Sequence, residues 1–239
     1  MPSANRPFDI EPLEGDFFKG EDMDKVGEFL ITVFSRDEIA AMPLDASASK
    51  RDKLAQLQSI AEHHLASLKI PTPPPADLAW EDFITWRTTE SLLAHLQNLQ
   101  GASEAAIARY RMLIAAWAAR PSTKGRATAD LGSMNNLCEI LAQHNQLAEA
   151  EKLTRALIPL EEDHPRLGKN SPQVLGARRK LMEVLAKQGR YDEAKVLNDE
   201  GYRIIATMKD GPFAGYEEEE IEAMDEVRDN LVRWSAVAA

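Results

Sequence analysis

The sequence predicts an all-α protein built from repeated helix pairs, and three observations support this prediction. Apolar residues recur every three or four positions through most of the 239-residue chain, which is the spacing of the buried face of a helix. One stretch of sequence recurs 44 positions further along the chain. No stretch alternates apolar and polar residues with β-branched side chains, so no sheet is predicted.

The N-terminal quarter predicts an irregular arm followed by helices. Residues 1–22 mix proline, glycine and acidic residues with three phenylalanines, whose rings are expected to pin the arm to the rest of the protein. An apolar stripe at helical spacing follows over 22–34. Ser35, with Glu38 three positions later, has the pattern of a capping box that starts a short helix. A longer helix is predicted over 49–68 from a further stripe.

Three consecutive prolines at 73–75 mark the clearest internal boundary, because proline lacks an amide donor and holds the chain extended. We therefore divide the chain into the arm 1–22, an N-terminal helical segment 23–76 and a helical repeat array 77–239 that ends in a capping helix. Within the array, helices are predicted over 80–99, 103–119, 128–144, 147–162, 172–188, 191–208 and 217–235.

The internal repeat aligns Leu131–Leu153 with Leu175–Leu197 without a gap. Nine residues of the first segment meet an identical residue in the second: Leu131, Gly132, Leu137, Glu139, Leu141, Ala142, Glu149, Ala150 and Leu153. A shift of another 44 positions toward the N-terminus finds a third copy that matches at fewer positions, including Leu93, Gly101 and Ala106. The sequence therefore predicts three related units.

The sequence pattern of each unit predicts two antiparallel helices joined by a tight turn. Gly101, Asn145 and Gly189 stand at the turn, where a left-handed backbone ends the first helix. A small residue follows five positions later in every copy, as at Ala150, and predicts a close crossing of the two helices. Because one such pair cannot bury its own apolar faces, neighbouring pairs are expected to stack into an array.

The repeated pattern resembles the tetratricopeptide repeat (TPR) in its longer, kinesin-light-chain-like variety, whose units look like "NNLA…G…EAE.L…AL…HP". The resemblance covers about 80–208 and is carried by Asn135, Asn136, Leu137, Glu149, Ala150, Glu151, Leu153, Ala156, Leu157, His164 and Pro165. Met134 and Arg178 depart from it, because the family usually has a large aromatic residue there, and Gly201 stands where Leu157 stood.

This resemblance implies a right-handed α-α superhelix in which the first helix of each pair lines a concave groove, closed here by the capping helix. It also implies protein–protein interaction through that groove. Helix pairs of the HEAT or armadillo type have similar periods and remain the alternative architecture.

Composition narrows the classes of partner and the compartment. The formal charge of −11 disfavours binding to nucleic acid or to an anionic membrane. A single cysteine, Cys138, excludes an internal disulfide and fits a reducing compartment. The N-terminus lacks the pattern of a secretory signal, and no stretch is apolar enough to span a membrane. A cytoplasmic, acidic protein is expected.

No motif for phosphate binding, for nucleophilic catalysis or for a metal appears in the sequence, so we predict no cofactor, no metal and no catalytic residue. The predicted binding residues are instead the inward positions of the first helices. They are Ser91, His95 and Asn98 in the first copy, Asn135, Asn136, Glu139 and Gln143 in the second, and Arg179, Glu183 and Lys187 in the third. Arg179 or Lys187 is expected to pair with Glu139 or Glu183.

The predicted function is that of a scaffold that binds a peptide or protein segment in the concave groove. The alternative is a small-molecule-binding enzyme, of cyclase or isomerase type, with an apolar pocket between the N-terminal helices and the array. The residues that would line that pocket are Trp80, Trp86, Trp117, Met112, Met134 and Met182. Association of two copies through an uncovered end of the array is a third hypothesis.

Overall fold

The structure, a computed structural model, describes Leu13 and residues 16–19, 21–121 and 129–238. These residues form ten α-helices and two short 3-10 helices, and no strand occurs among them, which confirms the predicted all-α class. The expectations for the remainder of the arm 1–22 and for residue 128 lie outside the described residues.

Contacts divide the chain into two compact units, a first unit Ile10–Arg126 and a second unit that includes Ala127–Ala239. The proline segment at 73–75 lies inside the first unit, between two helices that contact each other. The third helix pair of the sequence repeat lies in the second unit with the second pair, whereas the first pair lies in the first unit.

The described part of the first unit is built around one long helix. The helix α4 contacts α1, α3 and α5. The capping box at the start of α2 is confirmed, because the Glu38 carboxylate accepts the Ser35 amide at 2.8 Å and the Ser35 hydroxyl accepts the Glu38 amide at 3.3 Å. The helices of this unit are α1 (Glu21–Leu30), α2 (Arg36–Ala40), α3 (Lys50–Ser67), α4 (Trp80–Leu99) and α5 (Ser103–Ala118).

The described end of the arm is fixed to the first unit by two rings and one buried lysine. Phe17 and Phe18 form a 3-10 turn and are each 5% exposed. From α3, the Lys53 ammonium donates to the Phe17 carbonyl at 3.1 Å and lies 5.0 Å from the centre of the Phe17 ring. The prediction that phenylalanine rings pin the arm is confirmed for these residues.

The second unit contains α6 (Leu131–Gln143), α7 (Leu147–Glu162), α8 (Pro172–Lys187), α9 (Tyr191–Ile205) and α10 (Glu217–Ala238). Each helix contacts the next one along the chain, and α8 also contacts α6 and α10. Two helix pairs, α6–α7 and α8–α9, are thus stacked, and α10 lies against both helices of the second pair.

The turn inside each helix pair has the predicted backbone conformation. The φ angles are +82° at Gly101, +58° at Asn145 and +78° at Gly189. In each turn the amide that follows this residue donates to a carbonyl five positions earlier, at 2.8 or 2.9 Å, which is the hydrogen bond of a Schellman motif. The small residues Ala106, Ala150 and Ala194 are all fully buried, as expected for close helix crossings.

The turn glycines give a prediction about stability. Replacing Gly189 with alanine should lower the free energy of unfolding by about 1 kcal/mol, because a side chain at this positive φ meets the backbone. Gly176, inside α8, is the control: a Cβ there would meet only Arg179 Nη2 at 3.8 Å, so alanine should raise the free energy by up to about 1 kcal/mol. Urea unfolding of the two variants measures both, and equal signs would contradict this account of the turn.

Most predicted helix boundaries agree with the structure to within three residues. The ends of α4 and α7 are those predicted, whereas α9 ends at Ile205 rather than at 208 and α1 ends at Leu30 rather than at 34. Within the described residues, no helix combines the length and the apolar character that a membrane span requires.

Candidate functional site

Polar side chains of α6 and α8 meet across the contact between these two helices. Lys180 Nζ donates to Asn135 Oδ1 at 2.8 Å and lies 3.4 Å from Glu139 Oε2. Gln143 Nε2, one turn further along α6, donates to Glu139 Oε1 at 3.4 Å. The predicted residues Asn135, Glu139 and Gln143 are therefore brought together with α8.

The other predicted residues of α8 extend this arrangement along the helix. Lys187 Nζ donates to the Ala142 carbonyl of α6 at 3.1 Å. Glu183 lies between the two lysines, and burial raises the pKa of its carboxyl, while the charges of Lys187 and Lys180 oppose the rise. We call this surface the polar strip, formed by Asn135, Glu139 and Gln143 of α6 and by Lys180, Glu183 and Lys187 of α8. Asn136 is half-buried beside it on α6.

The expected pairing of Arg179 with Glu139 or Glu183 is not what the structure contains. Arg179 forms an ion pair with Glu220 of α10, and Lys180 takes the position opposite Glu139. Sequence reasoning missed Lys180, although its spacing of three and seven residues from Glu183 and Lys187 places it on the same face of α8. Consecutive residues of a helix are rotated by about 100° about its axis. Lys180 therefore contacts α6, whereas Arg179 contacts α10.

The first-copy residues Ser91, His95 and Asn98 belong to the first unit and take part in packing and in a turn. The ring of His95 stacks on Phe29 of α1, with centroids 4.4 Å apart. Ser91 is only 6% exposed. Asn98 Oδ1 accepts a hydrogen bond from the Ser103 hydroxyl at 3.1 Å, which joins the end of α4 to the start of α5. The face of α4 that carries His95 is covered by α1 and is not an open wall.

The tryptophans of the proposed apolar pocket pack against one another instead. Trp80 and Trp117 both contact Phe83, with ring centroids 5.9 and 5.8 Å from it, and Phe83 also contacts Trp86 at 5.8 Å. Phe83 and Trp86 are fully buried. The Arg120 guanidinium lies 4.2 Å from the Phe83 ring centre. Phe83 and Trp86 are therefore core residues, whereas Trp80 and Trp117 are half-buried beside them.

A buried acid that the sequence analysis did not single out lies behind the polar strip. Glu161 of α7 is 4% exposed, and its Oε2 atom is buried without a hydrogen-bond partner. Burial raises the pKa of this carboxyl to about 7, opposed by the charge of Lys180. Burial also raises the pKa of the Cys138 thiol on α6, which keeps it in the unreactive thiol form.

The described residues contain no group of three histidine, cysteine, aspartate or glutamate side chains that could hold a metal ion. Comparisons of the chain with protein families, with curated proteins and with solved structures found no match. The resemblance to tetratricopeptide repeats therefore remains an expectation drawn from the residues themselves.

Proposed function

We propose that the second unit holds an extended peptide segment of another protein across the polar strip. The observation that carries this proposal is the row of half-buried and exposed polar groups that hydrogen-bond from α6 to α8, with Lys180 donating to Asn135 and Lys187 to the Ala142 carbonyl. Groups held in this way are oriented before a ligand arrives, so less side-chain entropy is lost on binding.

The chemistry of the strip suits a peptide backbone. Amide side chains, here Asn135, Asn136 and Gln143, both donate and accept hydrogen bonds, as does each peptide unit of an extended chain. Gln143 is seven residues from Asn136 and eight from Asn135, so the three amides lie on two adjoining sides of α6 over about two turns. We further propose that the pairs α6–α7 and α8–α9, closed by α10, follow the right-handed superhelix of tetratricopeptide repeats, and that the protein acts in the cytoplasm.

The side-chain amides of the strip provide a direct test. Peptides selected from a random library on the immobilised protein would be added to ¹⁵N-labelled protein, and the NMR signals of the side-chain NH₂ groups would be followed. The signals of Asn135, Asn136 and Gln143 should shift on binding. Asn198 is the control, because it is buried on α9 and donates to the Met224 carbonyl at 3.2 Å.

The result can also contradict the proposal. Selected peptides that shift the signals of other residues while those of Asn135 and Asn136 stay unchanged would place the binding surface elsewhere. A library selection that yields no binding peptide would remove the proposed function.

A further inference from the structure

The cations in and beside the polar strip are engaged within the protein. Lys180 donates to Asn135 and Lys187 to a main-chain carbonyl of α6, as described above. The neighbouring Arg178 binds Glu162 at 2.7 Å and Glu200 at 2.9 Å, and Arg179 binds Glu220. The strong donors of this surface thus have acceptors in the same chain.

The carboxylates of the polar strip have fewer partners within the protein than its cations have. Glu183 accepts no hydrogen bond from any residue that the structure describes, and neither does the exposed Glu226 of α10. The negative charges of Glu139 and Glu226 both raise the pKa of Glu183, so each of them repels the Glu183 carboxylate. The charges of Lys187 and Lys180 oppose the rise in the pKa of Glu183.

Glu161 adds a further, independent acceptor at the same place. Its carboxylate is 4% exposed, one of its oxygens lacks a donor, and its charge interacts with that of Lys180 from the α7 side. Lys180 lies 3.4 Å from Glu139 on α6, and its charge also acts on Glu161 of α7 and on Glu183 of α8. Lys187, which also donates to the Ala142 carbonyl, is the second cation near Glu183, so two ammonium groups face these three carboxylates.

We infer that the peptide bound at the polar strip is basic, and that it places a lysine or arginine side chain between Glu139 and Glu183. This inference rests on the proposed peptide-binding function. The incoming cation supplies the donors that Glu183 lacks, and it competes with Lys180 for Glu139. Lys180 then turns toward the unpartnered oxygen of Glu161, so every carboxylate of the group gains a cationic neighbour.

Two labelled peptide mixtures of equal length test this charge preference. Both have random glycine, serine and alanine at the uncharged positions, and the charged positions are lysine or arginine in one mixture and aspartate or glutamate in the other. Fluorescence anisotropy should show binding of the basic mixture and none of the acidic one. Glu183→Gln should weaken binding of the basic mixture about tenfold, because a charge-assisted hydrogen bond is lost. Glu161→Gln should weaken it about threefold, because Lys180 loses its second acceptor.

The matched control separates the strip from the general negative charge of the protein. Asp199→Asn removes one negative charge from an exposed position of α9, and it should leave the affinity within about twofold, because one distant surface charge is screened by salt. Thermal unfolding of each variant checks that the fold is intact. Equal effects of Glu183→Gln and Asp199→Asn would mean that the attraction is non-specific and would overturn the inference.

The same experiment distinguishes failure of this inference from failure of the proposed function. If the acidic mixture binds and shifts the side-chain amide signals of Asn135 and Gln143, the strip binds peptides but the charge inference is wrong. If neither mixture binds and the library selection also fails, both are wrong.

Discussion

Replacing Glu161 with glutamine is expected to raise the free energy of unfolding by about 2 kcal/mol at pH 8 and to change it little at pH 4.5. The folded-state pKa of this carboxyl is about 7, against an ordinary value of 4.5. The folded protein therefore binds the proton more tightly than the unfolded chain does. Stability from this group is present at low pH and is lost as the pH rises from about 4.5 to 7, at about 1.4 kcal/mol for each pH unit.

Glutamine is neutral throughout this range, so the variant avoids the cost of an ionised buried carboxylate while it keeps nearly the same shape. Urea unfolding of the natural and variant proteins at the two pH values measures the difference. The expected gain is smaller than the pKa shift alone implies, because the glutamine amide also needs hydrogen-bond partners in the same buried place.

The adjacent residue on α7 provides a control of opposite sign. Glu162 pairs with Arg178 at 2.7 Å, and both side chains are mostly buried. Glu162→Gln should therefore lower the free energy of unfolding at pH 8 by about 1 kcal/mol, because Arg178 keeps only its contact with Glu200. If Glu161→Gln were destabilising at pH 8 as well, the Glu161 carboxylate would be paired rather than isolated, and its place in the inferred binding site would be lost.

A stabilising Glu161→Gln substitution that weakens peptide binding would explain why an isolated acid occupies this position. Binding sites retain groups that are unfavourable in the free protein and become favourable when a ligand or a rearranged neighbour satisfies them. Here that neighbour is Lys180 of α8, whose charge opposes the effect of burial on the Glu161 carboxyl.

The helix pairs and their turns could be predicted because they follow from local chemistry. A residue that tolerates a left-handed backbone ends the first helix. Apolar residues recur on the buried face of each helix, and alanine lies where two helices cross. These signals are contained within about twenty residues, and Asn145 shows that the rule holds where glycine is replaced. The same positions in all three copies adopt the same backbone conformation.

The covered face of α4 could not be predicted, because it depends on a contact between distant parts of the chain. The spacing of Ser91 and His95 matches that of the α6 and α8 residues, and only the position of α1 makes the two sets different. Helical spacing identifies which residues share a face, but it does not identify which element covers that face.

The burial of Glu161 could have been predicted from the sequence. The buried residues of α7 are Ala150, Thr154, Leu157 and Glu161, at spacings of four, three and four, which is a regular helical stripe. Glu162 and Asp163 follow Glu161, so the three residues together have the pattern of a solvated acidic run at the end of a helix. The helical spacing of the stripe predicts the burial of Glu161 correctly, whereas its acidic neighbours do not.

Gly201 stands where the previous copy has Leu157, and this difference is important for the packing of α10. Gly201 is buried in α9, and a Cβ at this position would overlap the terminal methyl group of Met224 on α10. Met224 is itself fully buried. The absence of a side chain at Gly201 is therefore what allows α10 to approach α9 and cover the end of the second helix pair.

Gly201→Val should lower the free energy of unfolding by about 2 kcal/mol, because the added side chain overpacks this contact and forces the end of the buried Met224 side chain to move. Met224→Ala alone should cost about 3 kcal/mol by leaving a cavity. The double variant should be more stable than the sum of the two losses predicts, by more than about 1 kcal/mol, because the valine fills the space that the methionine vacates. Urea unfolding of the four proteins gives this coupling energy.

Gly176→Val is the control for the cost of a branched side chain inside a helix of the same unit. A Cβ at Gly176 would meet only the end of the Arg179 side chain at 3.8 Å, so the change should stay within about 1 kcal/mol. Additive losses at Gly201 and Met224 would mean that the two residues do not meet. In that case α10 would not be held by close packing at Gly201, and its position against α8, which brings Glu226 toward Glu183, would need another cause.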